Sequence, residues 1–165
     1  MDYMSGLPST KHDNDCVFVV IDRFSKMAIM VACKKSIIVY ATAKLFFERV
    51  RVHFGIPQSI ISDWDNKFLS AFWSSLWSML DIKLTKSTTF HPQTDGQTEV
   101  ISKMLIHIMC MYNLMNPCTL DESLPYVQHS YNRALHISIG HNPFQVGLGF
   151  RPLSPTNVAI PFAVT

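Results

Sequence analysis

The stretch Cys16-Val-Phe-Val-Val-Ile-Asp22-Arg-Phe-Ser-Lys26 decides the fold of this chain. The apolar run from Val17 to Ile21 alternates between the two faces of an extended strand, so both faces are apolar until Asp22. A strand that is apolar on both faces is typical of a central strand covered on both sides. The stretch therefore predicts the central strand of an α/β sheet, with a carboxylate at its carboxyl end.

The rest of the chain predicts strands and helices around that strand. Apolar residues at four-residue spacing indicate helices, and short apolar runs between turn residues indicate further strands. Gly55-Ile56-Pro57 is a helix stop, and Asn142-Pro143 combines a helix cap with a proline that fits the first helical position. We predict strands at 27–33, 59–62 and 82–87, and helices at 39–54, 68–80, 97–115, 124–136 and from 142 onward.

Composition limits the class of protein. The chain has 165 residues, of which 48% are hydrophobic, and this size suits one domain with one core. We assign that domain to residues 1–155 and a proline-containing tail or linker to 156–165. No apolar run approaches the roughly 20 residues that span a bilayer, and Met1-Asp2 does not begin a secretory signal. We expect an intracellular protein without membrane contact, whose four cysteines are reduced and buried.

Charge alone does not point to a nucleic acid partner. Fourteen Lys and Arg residues against twelve Asp and Glu give a formal net charge of +2, which is a weak electrostatic footprint. Any function in DNA binding has to be argued from particular residues instead.

Three carboxylates stand where strands end or helices begin: Asp22, Asp63 and Glu99, with 35 residues between the last two. Carboxylates converging from separate segments can hold Mg²⁺ ions. Each also has a structural alternative, as a turn or capping residue or as a favourable charge at a helix N-terminus. Asp65 and Asp95 fit such roles better, as a helix cap and a loop acid.

The segments around these carboxylates, 16–26, 60–68 and 91–99, resemble the integrase catalytic core of retroviruses and gypsy-type LTR retrotransposons. The resemblance runs from about Asp2 to about Pro155. It implies an α/β, ribonuclease H-like fold, with a mixed sheet of about five strands flanked by helices. It also implies DNA integration by a metal-dependent polynucleotidyl transferase, which processes 3′ ends and transfers retrotransposon DNA strands into a target.

The same resemblance implies a metal centre with two ions, Mg²⁺ or Mn²⁺. Asp22 would bridge both ions, Asp63 would complete one site, and Glu99 would complete the other. Two ions of this kind stabilise the attacking and leaving oxygens of an in-line displacement.

The loop before Glu99 resembles the active-site loop of gypsy-type integrases, which DNA ends approach. Lys103 lies four residues after Glu99, on the same helix face, where it would reach a phosphate or would remain a solvated lysine. Tyr131, Asn132 and His136 match a downstream block of the family and are interpreted as structural. The predicted DNA-binding residues are His91, Gln93, Thr94, Gln97 and Lys103.

The family also implies partners and a compartment. We expect retrotransposon DNA ends and target DNA as partners, a homo-oligomer, and a location in the nucleus. The zinc module that usually precedes the core is absent from this sequence.

The chain departs from the family pattern next to the predicted centre. Val100 and Ser102 replace the usual Arg and Asn after the catalytic Glu, and Trp64 replaces a usual Arg. Two alternatives therefore stay open: a catalytically degenerate integrase remnant that binds nucleic acid or a protein partner, and another ribonuclease H-like nuclease.

Overall fold

The structure is a computed structural model that describes residues 1–62, 83–86, 96–113 and 117–154. The predicted helix at 68–80 and the tail at 156–165 lie outside the described residues. The described elements are, in chain order, β1 (Asp2–Ser5), β2 (Cys16–Ile21), β3 (Ala28–Cys33), α1 (Val39–Leu45), a π-helical turn (Phe46–Val50), α2 (Arg51–Phe54), β4 (Ser59–Ser62), β5 (Lys83–Lys86), α3 (Gly96–Asn113), a 3₁₀ turn (Pro117–Thr119), α4 (Leu120–Arg133) and α5 (Pro143–Leu148).

The described strands form two sheets. The first is antiparallel with the order β1-β2-β3, in which Asp2 lies opposite Val19 and Ile21 lies opposite Ala28. The second is a parallel pair of β4 and β5. The predicted hairpin of β2 and β3 is confirmed, whereas the predicted mixed sheet appears in the described residues as a three-stranded sheet and a separate pair.

Strand β1 was not predicted. It has only four residues, begins with a charged side chain and is followed by Gly6, whose φ of +83° turns the chain. Such a segment has too little apolar alternation to predict a strand. Its pairing with β2 places β2 between two neighbours, which agrees with the central position predicted for that strand.

Two helical layers cover the two faces of the three-stranded sheet. We call the face packed by α3 and α4 the front face; its buried residues include Met4, Val17, Val19, Ile101 and Leu105. We call the opposite face the back face. The back face packs against the π-helical turn and α5, and its buried residues include Phe18, Val20, Phe46, Val50 and Phe144.

Helix α4 also covers the outer edge of β3. The Asn132 side chain accepts a hydrogen bond from the Ala28 N–H at 2.8 Å and donates one to the Ala28 carbonyl at 2.8 Å. Four residues earlier on the helix, Gln128 accepts from the Met30 N–H at 2.8 Å. Four residues of a helix rise about 6 Å, and two residues of a strand rise about 6.6 Å. Because these lengths match, amide side chains four residues apart on the helix can both reach the edge of the strand. The structural interpretation of Asn132 agrees with these contacts.

Two predicted helix boundaries have clear physical causes. The helical segment at 39–54 ends at Gly55, whose φ is +73°. Helix α5 begins at Pro143, after Asn142 accepts a hydrogen bond from the Gln145 N–H at 2.8 Å. Both signals were visible in the sequence.

Cysteine burial was only half predicted. All four cysteines are free thiols, but Cys110 and Cys118 are exposed and only Cys16 and Cys33 are buried. Residue 110 lies on the solvent side of α3, where the burial rule for cysteine does not apply. In the part of the chain that the structure describes, no helix is long and apolar enough to cross a membrane.

Candidate nucleic-acid-processing site

Asp22 lies in a tight turn between β2 and β3. Its Oδ2 accepts two hydrogen bonds from Ser25, one from the backbone N–H at 2.8 Å and one from the hydroxyl at 2.6 Å. The Asp22 backbone completes the turn: its N–H donates to the Met27 carbonyl at 2.9 Å, and its carbonyl accepts from Lys26 at 2.9 Å. The carboxylate therefore acts as a cap within this turn, which is the structural alternative for an Asp at the end of a strand.

Helix α5 packs against this turn from the back face. A Cβ added to Gly147 would lie 3.2 Å from the Met27 sulfur and 3.5 Å from the Ser25 hydroxyl oxygen, so only a residue without a side chain allows this approach without displacing the Met27 sulfur. Ser25 is 2% exposed as a result, and its hydrogen bonds are screened from water. Met27 belongs to the back-face core.

Strand alternation gives the same placement for Asp22. On β2 the residues Val17 and Val19 belong to the front-face core, and Phe18 and Val20 belong to the back-face core. Because side chains alternate, the position of Asp22 continues the back-face series. Helix α3, which contains Glu99, lies on the front face.

A different carboxylate, that of Asp2, lies on the front face. Within β1, Tyr3 packs against the back-face core, where its ring centroid is 5.2 Å from that of Phe18, while Met4 belongs to the front-face core. Asp2 shares a face with Met4 because the two are two residues apart on one strand. Sequence reasoning missed Asp2, because the strand that orients it was not predicted.

The beginning of β1 also lies beside β4. The N-terminal ammonium group of Met1 donates a hydrogen bond to the Ile61 carbonyl at 2.6 Å. Asp63 follows Ile61 by two residues in the sequence and comes directly after β4. This contact brings the segment that carries Asp2 next to the segment that leads to Asp63.

The first turns of α3 lie at the same end of the sheet. Ile101 is 3% exposed in the front-face core, and it lines one cleft together with Met1, Ile21 and Ile61. Glu99 is the fourth residue of α3, half a turn before Ile101, so its predicted place in the first turn of a helix is confirmed. The front-face end of the sheet therefore gathers the start of β1, strand β4 and the first turns of α3.

That cleft has a volume of about 350 Å³ and extends around the end of the sheet. It reaches from Met1 and Ile101 to the turn after β2, where Asp22, Arg23 and Phe24 line it. A cleft of this size can take part of a substrate, with both the front-face segments and the turn in contact with it.

The remaining predicted site residues are placed only in part. Asp63, His91, Gln93 and Thr94 lie outside the described residues. Gln97 and Glu99 lie in α3, and Lys103 on the same helix is exposed. Among the described residues, no group of three acidic, His or Cys side chains forms a metal site, and the three segments above include only one carboxylate whose side chain is described, that of Asp2.

Solved structures with a similar fold are retroviral integrases. The HTLV-2 integrase catalytic core domain in complex with magnesium has a TM-score of 0.67 at 19% identity, covering 87% of this chain and 99% of that one. A chain of the simian T-cell lymphotropic virus intasome in complex with PP2A regulatory subunit B56 gamma has a TM-score of 0.74 at 18% identity, covering 99% of this chain and 59% of that one. The fold is therefore that of the integrase catalytic cores, which is ribonuclease H-like.

The sequence relatives narrow the class. The transposon Tf2-3 and Tf2-4 polyproteins of Schizosaccharomyces pombe are each 38% identical to this chain over 156 residues, which is 94% of this chain. The chain spans 12% of the length of these polyproteins. No family model matches the sequence. The chain is therefore similar in sequence to a part of retrotransposon polyproteins and in fold to retroviral integrase catalytic cores, and the gypsy-type resemblance is consistent with these relatives.

Proposed function

We propose that this chain is the catalytic core of a retrotransposon integrase, a metal-dependent polynucleotidyl transferase that processes the 3′ ends of element DNA and joins them to a target. Relatives that are transposon polyproteins and structural neighbours that are integrases support the class of reaction. In this proposal, the three-stranded sheet and the β4-β5 pair belong to one mixed five-stranded sheet of the ribonuclease H type.

The predicted set of carboxylates was Asp22, Asp63 and Glu99. We retain Asp63 and Glu99 and propose Asp2, in place of Asp22, as the first carboxylate. The observation that carries this choice is the hydrogen bond from Met1 to Ile61, which aligns the start of β1 with the strand leading to Asp63. The front-face orientation of Asp2 and the capping role of Asp22 add independent support.

The chemistry of the donors fits hard divalent ions. Carboxylate oxygens are the ligands that Mg²⁺ and Mn²⁺ prefer, and substrate phosphates and waters complete the coordination. A pair of such ions, when bound, polarises the scissile phosphate and stabilises the attacking and leaving oxygens. The three carboxylates would hold the ions in place, and the bound ions would orient the scissile phosphate for in-line attack.

The proposal also includes the DNA partners and the residues that contact them. We propose that His91, Gln93, Thr94 and Gln97 line the path of the DNA end, and that the exposed Lys103 contacts a phosphate. DNA ends and target DNA would be bound by a homo-oligomer in the nucleus. HTLV-2 integrase cores, which share the fold, are described in dimeric and trimeric forms.

The decisive experiment is a disintegration assay, in which the isolated chain reverses strand joining on a branched DNA substrate with Mg²⁺ or Mn²⁺. Loss of one metal-binding carboxylate removes several kcal/mol of transition-state stabilisation, so Asp2→Asn, Asp63→Asn and Glu99→Gln should each lower the rate at least about 10³-fold. Asp22→Asn is the matched control, because it makes the same change at the same end of the sheet.

The outcomes separate the competing interpretations. If Asp22→Asn abolishes joining and Asp2→Asn does not, the set predicted from the sequence, Asp22, Asp63 and Glu99, is correct. If folded wild-type protein joins no strands with either metal, the degenerate remnant is favoured, in line with the replacements at Val100 and Ser102. If it hydrolyses DNA or RNA without joining, it is another ribonuclease H-like nuclease.

A further inference from the structure

The turn after β2 presents two exposed side chains at the cleft that lies at the end of the sheet. Phe24 is 80% exposed, and Arg23 next to it is also exposed. Both line the cleft that also contains Met1 and Ile101. An aromatic ring and a guanidinium group at the mouth of a cleft are the side chains that bind unpaired nucleic acid, by stacking on bases and by contact with phosphate.

The turn is held rigidly although its tip is exposed. Lys26 has a φ of +62°, a left-handed conformation that is costly for a residue other than glycine, so the surrounding contacts must hold it. Those contacts include the Ser25 hydrogen bonds to Asp22 and a 2.6 Å hydrogen bond from the Lys26 amine to the Arg23 carbonyl.

The Lys26 side chain is buried and does not lie at the exposed tip of the turn. It is only 7% exposed, and burial, with a smaller effect of Arg23, lowers its pKa. Its amine folds back onto the Arg23 carbonyl, and Gly147 on α5 packs against Ser25 and Met27. The turn thus buries its middle residues and leaves Arg23 and Phe24 pointing outward.

We propose that Phe24 stacks on an unpaired base at the end of the DNA substrate, and that Arg23 contacts a neighbouring phosphate. Inside a duplex the faces of the bases are covered by their neighbours, whereas a terminal base can separate and offer its face to a ring. A rigid ring loses little conformational entropy on binding. The inference rests on the proposed function for its substrate, and it concerns binding rather than strand joining.

The test is equilibrium binding by fluorescence anisotropy in buffer with a metal chelator, so that catalysis cannot occur. One labelled duplex has a single-stranded 3′ overhang, and a second has both ends closed by hairpin loops. Phe24→Ala should weaken binding of the overhang duplex about 5- to 150-fold, the range that stacking on one base supports, and should change binding of the closed duplex less than 2-fold. Phe24→Trp should restore wild-type affinity.

Two further variants sharpen the result. Phe150 is 60% exposed and lies after α5, outside the residues that line the cleft, so Phe150→Ala is a matched control that should leave both affinities unchanged. Arg23→Gln should lower the slope of log K against log salt by about 0.7–0.9, the change expected for one lost phosphate contact.

Equal loss on both duplexes, or no loss with the overhang, would overturn the stacking role. A change in oligomeric state with Phe24→Ala, measured by light scattering, would instead assign the ring to a protein interface and would also overturn it. Because binding is measured without metal, a failure of the carboxylate variants in the joining assay leaves this result unaffected, and the two proposals can fail separately.

Discussion

Asp2 and Asp22 lie at the same end of one sheet, and each carboxylate accepts a backbone hydrogen bond, Asp2 from Tyr3 at 2.7 Å and Asp22 from Ser25 at 2.8 Å, but they lie on opposite faces. Asp2 opens a short strand on the face covered by α3, beside the strand that leads to Asp63. Asp22 follows a long apolar strand and uses one carboxylate oxygen to accept two hydrogen bonds from a buried serine. The comparison teaches that the more conspicuous carboxylate in a sequence can be the one that holds a turn together.

Metal binding provides the largest expected contrast between the two residues. Asp2→Asn should weaken Mn²⁺ binding at least about 100-fold, because loss of a partner outside the ligand set already costs about 10–100-fold. Asp22→Asn should change it less than about 3-fold. Electron paramagnetic resonance of free Mn²⁺ measures both without any DNA. Equal losses of Mn²⁺ affinity in the two variants would contradict the proposal that Asp2, and not Asp22, is a metal ligand.

The loop between β1 and β2 is hydrogen-bonded to α4. Removing these hydrogen bonds tests whether α4 stabilises the loop that follows β1. One oxygen of Asp121 on α4 accepts hydrogen bonds from Thr10 at 2.9 Å, His12 at 2.7 Å and Asn14 at 3.3 Å. Asp121→Ala leaves the buried Thr10 hydroxyl without this acceptor and should lower the free energy of unfolding by about 1–2 kcal/mol, since His12 is 67% exposed and adds little. Denaturant titration at pH 7 measures this effect.

This contribution has a defined pH dependence. Burial raises the pKa of Asp121, but hydrogen bonds from His12, Thr10 and Asn14 together outweigh it, so the pKa lies below its ordinary value. A carboxylate with a lowered pKa in the folded state stabilises the protein above its unfolded pKa and loses that contribution as the pH falls through the folded value. The difference between wild type and Asp121→Ala should therefore shrink below about pH 4. A constant difference down to pH 2 would contradict the assignment.

The serine beneath Asp22 gives the smallest expected effect on metal binding and the sharpest separation of structure from chemistry. Ser25→Ala removes the 2.6 Å hydrogen bond that the hydroxyl donates to Asp22 and the 3.2 Å one that it accepts from the Met27 N–H, but keeps the one from the Ser25 backbone. We therefore expect a loss of about 1–2 kcal/mol in unfolding free energy. Its Mn²⁺ affinity should equal that of wild type. Ser123→Ala, which removes a 2.8 Å hydrogen bond to the Leu120 carbonyl, is the control for loss of a serine hydroxyl elsewhere. If the Mn²⁺ affinity falls in Ser25→Ala but not in Ser123→Ala, the result would indicate that Asp22 is a metal ligand.

Much of the fold follows from local sequence. The apolar run at 17–21 predicts a strand with two covered faces, and the front-face and back-face cores show both coverings. Glycine and proline at Gly55 and Pro143 mark helix ends because their backbones restrict or permit the necessary dihedral angles. These features depend on neighbours within a few residues, so a sequence pattern is enough to predict them.

The amide groups that cover the edge of β3 could not be predicted in the same way. Asn132 contacts Ala28 across 104 residues, and no spacing in the chain indicates that an asparagine on a late helix completes the hydrogen bonding of an early strand. Only the family resemblance indicates a structural role for Tyr131 and Asn132.

By itself, the sequence determined the type of most described elements and the resemblance to integrase catalytic cores, and it predicted a site made of carboxylates. The tertiary structure decided the faces on which the described carboxylates Asp2 and Asp22 lie, because strand pairing sets both the face of a side chain and its neighbours. Asp22 and Asp2 are both acids near apolar residues, and only the pairing of β1 with β2 and the contact of Met1 with Ile61 distinguish their positions. The physical reason is the two-residue period of a strand, in which a shift of one position moves a side chain to the opposite layer of the protein.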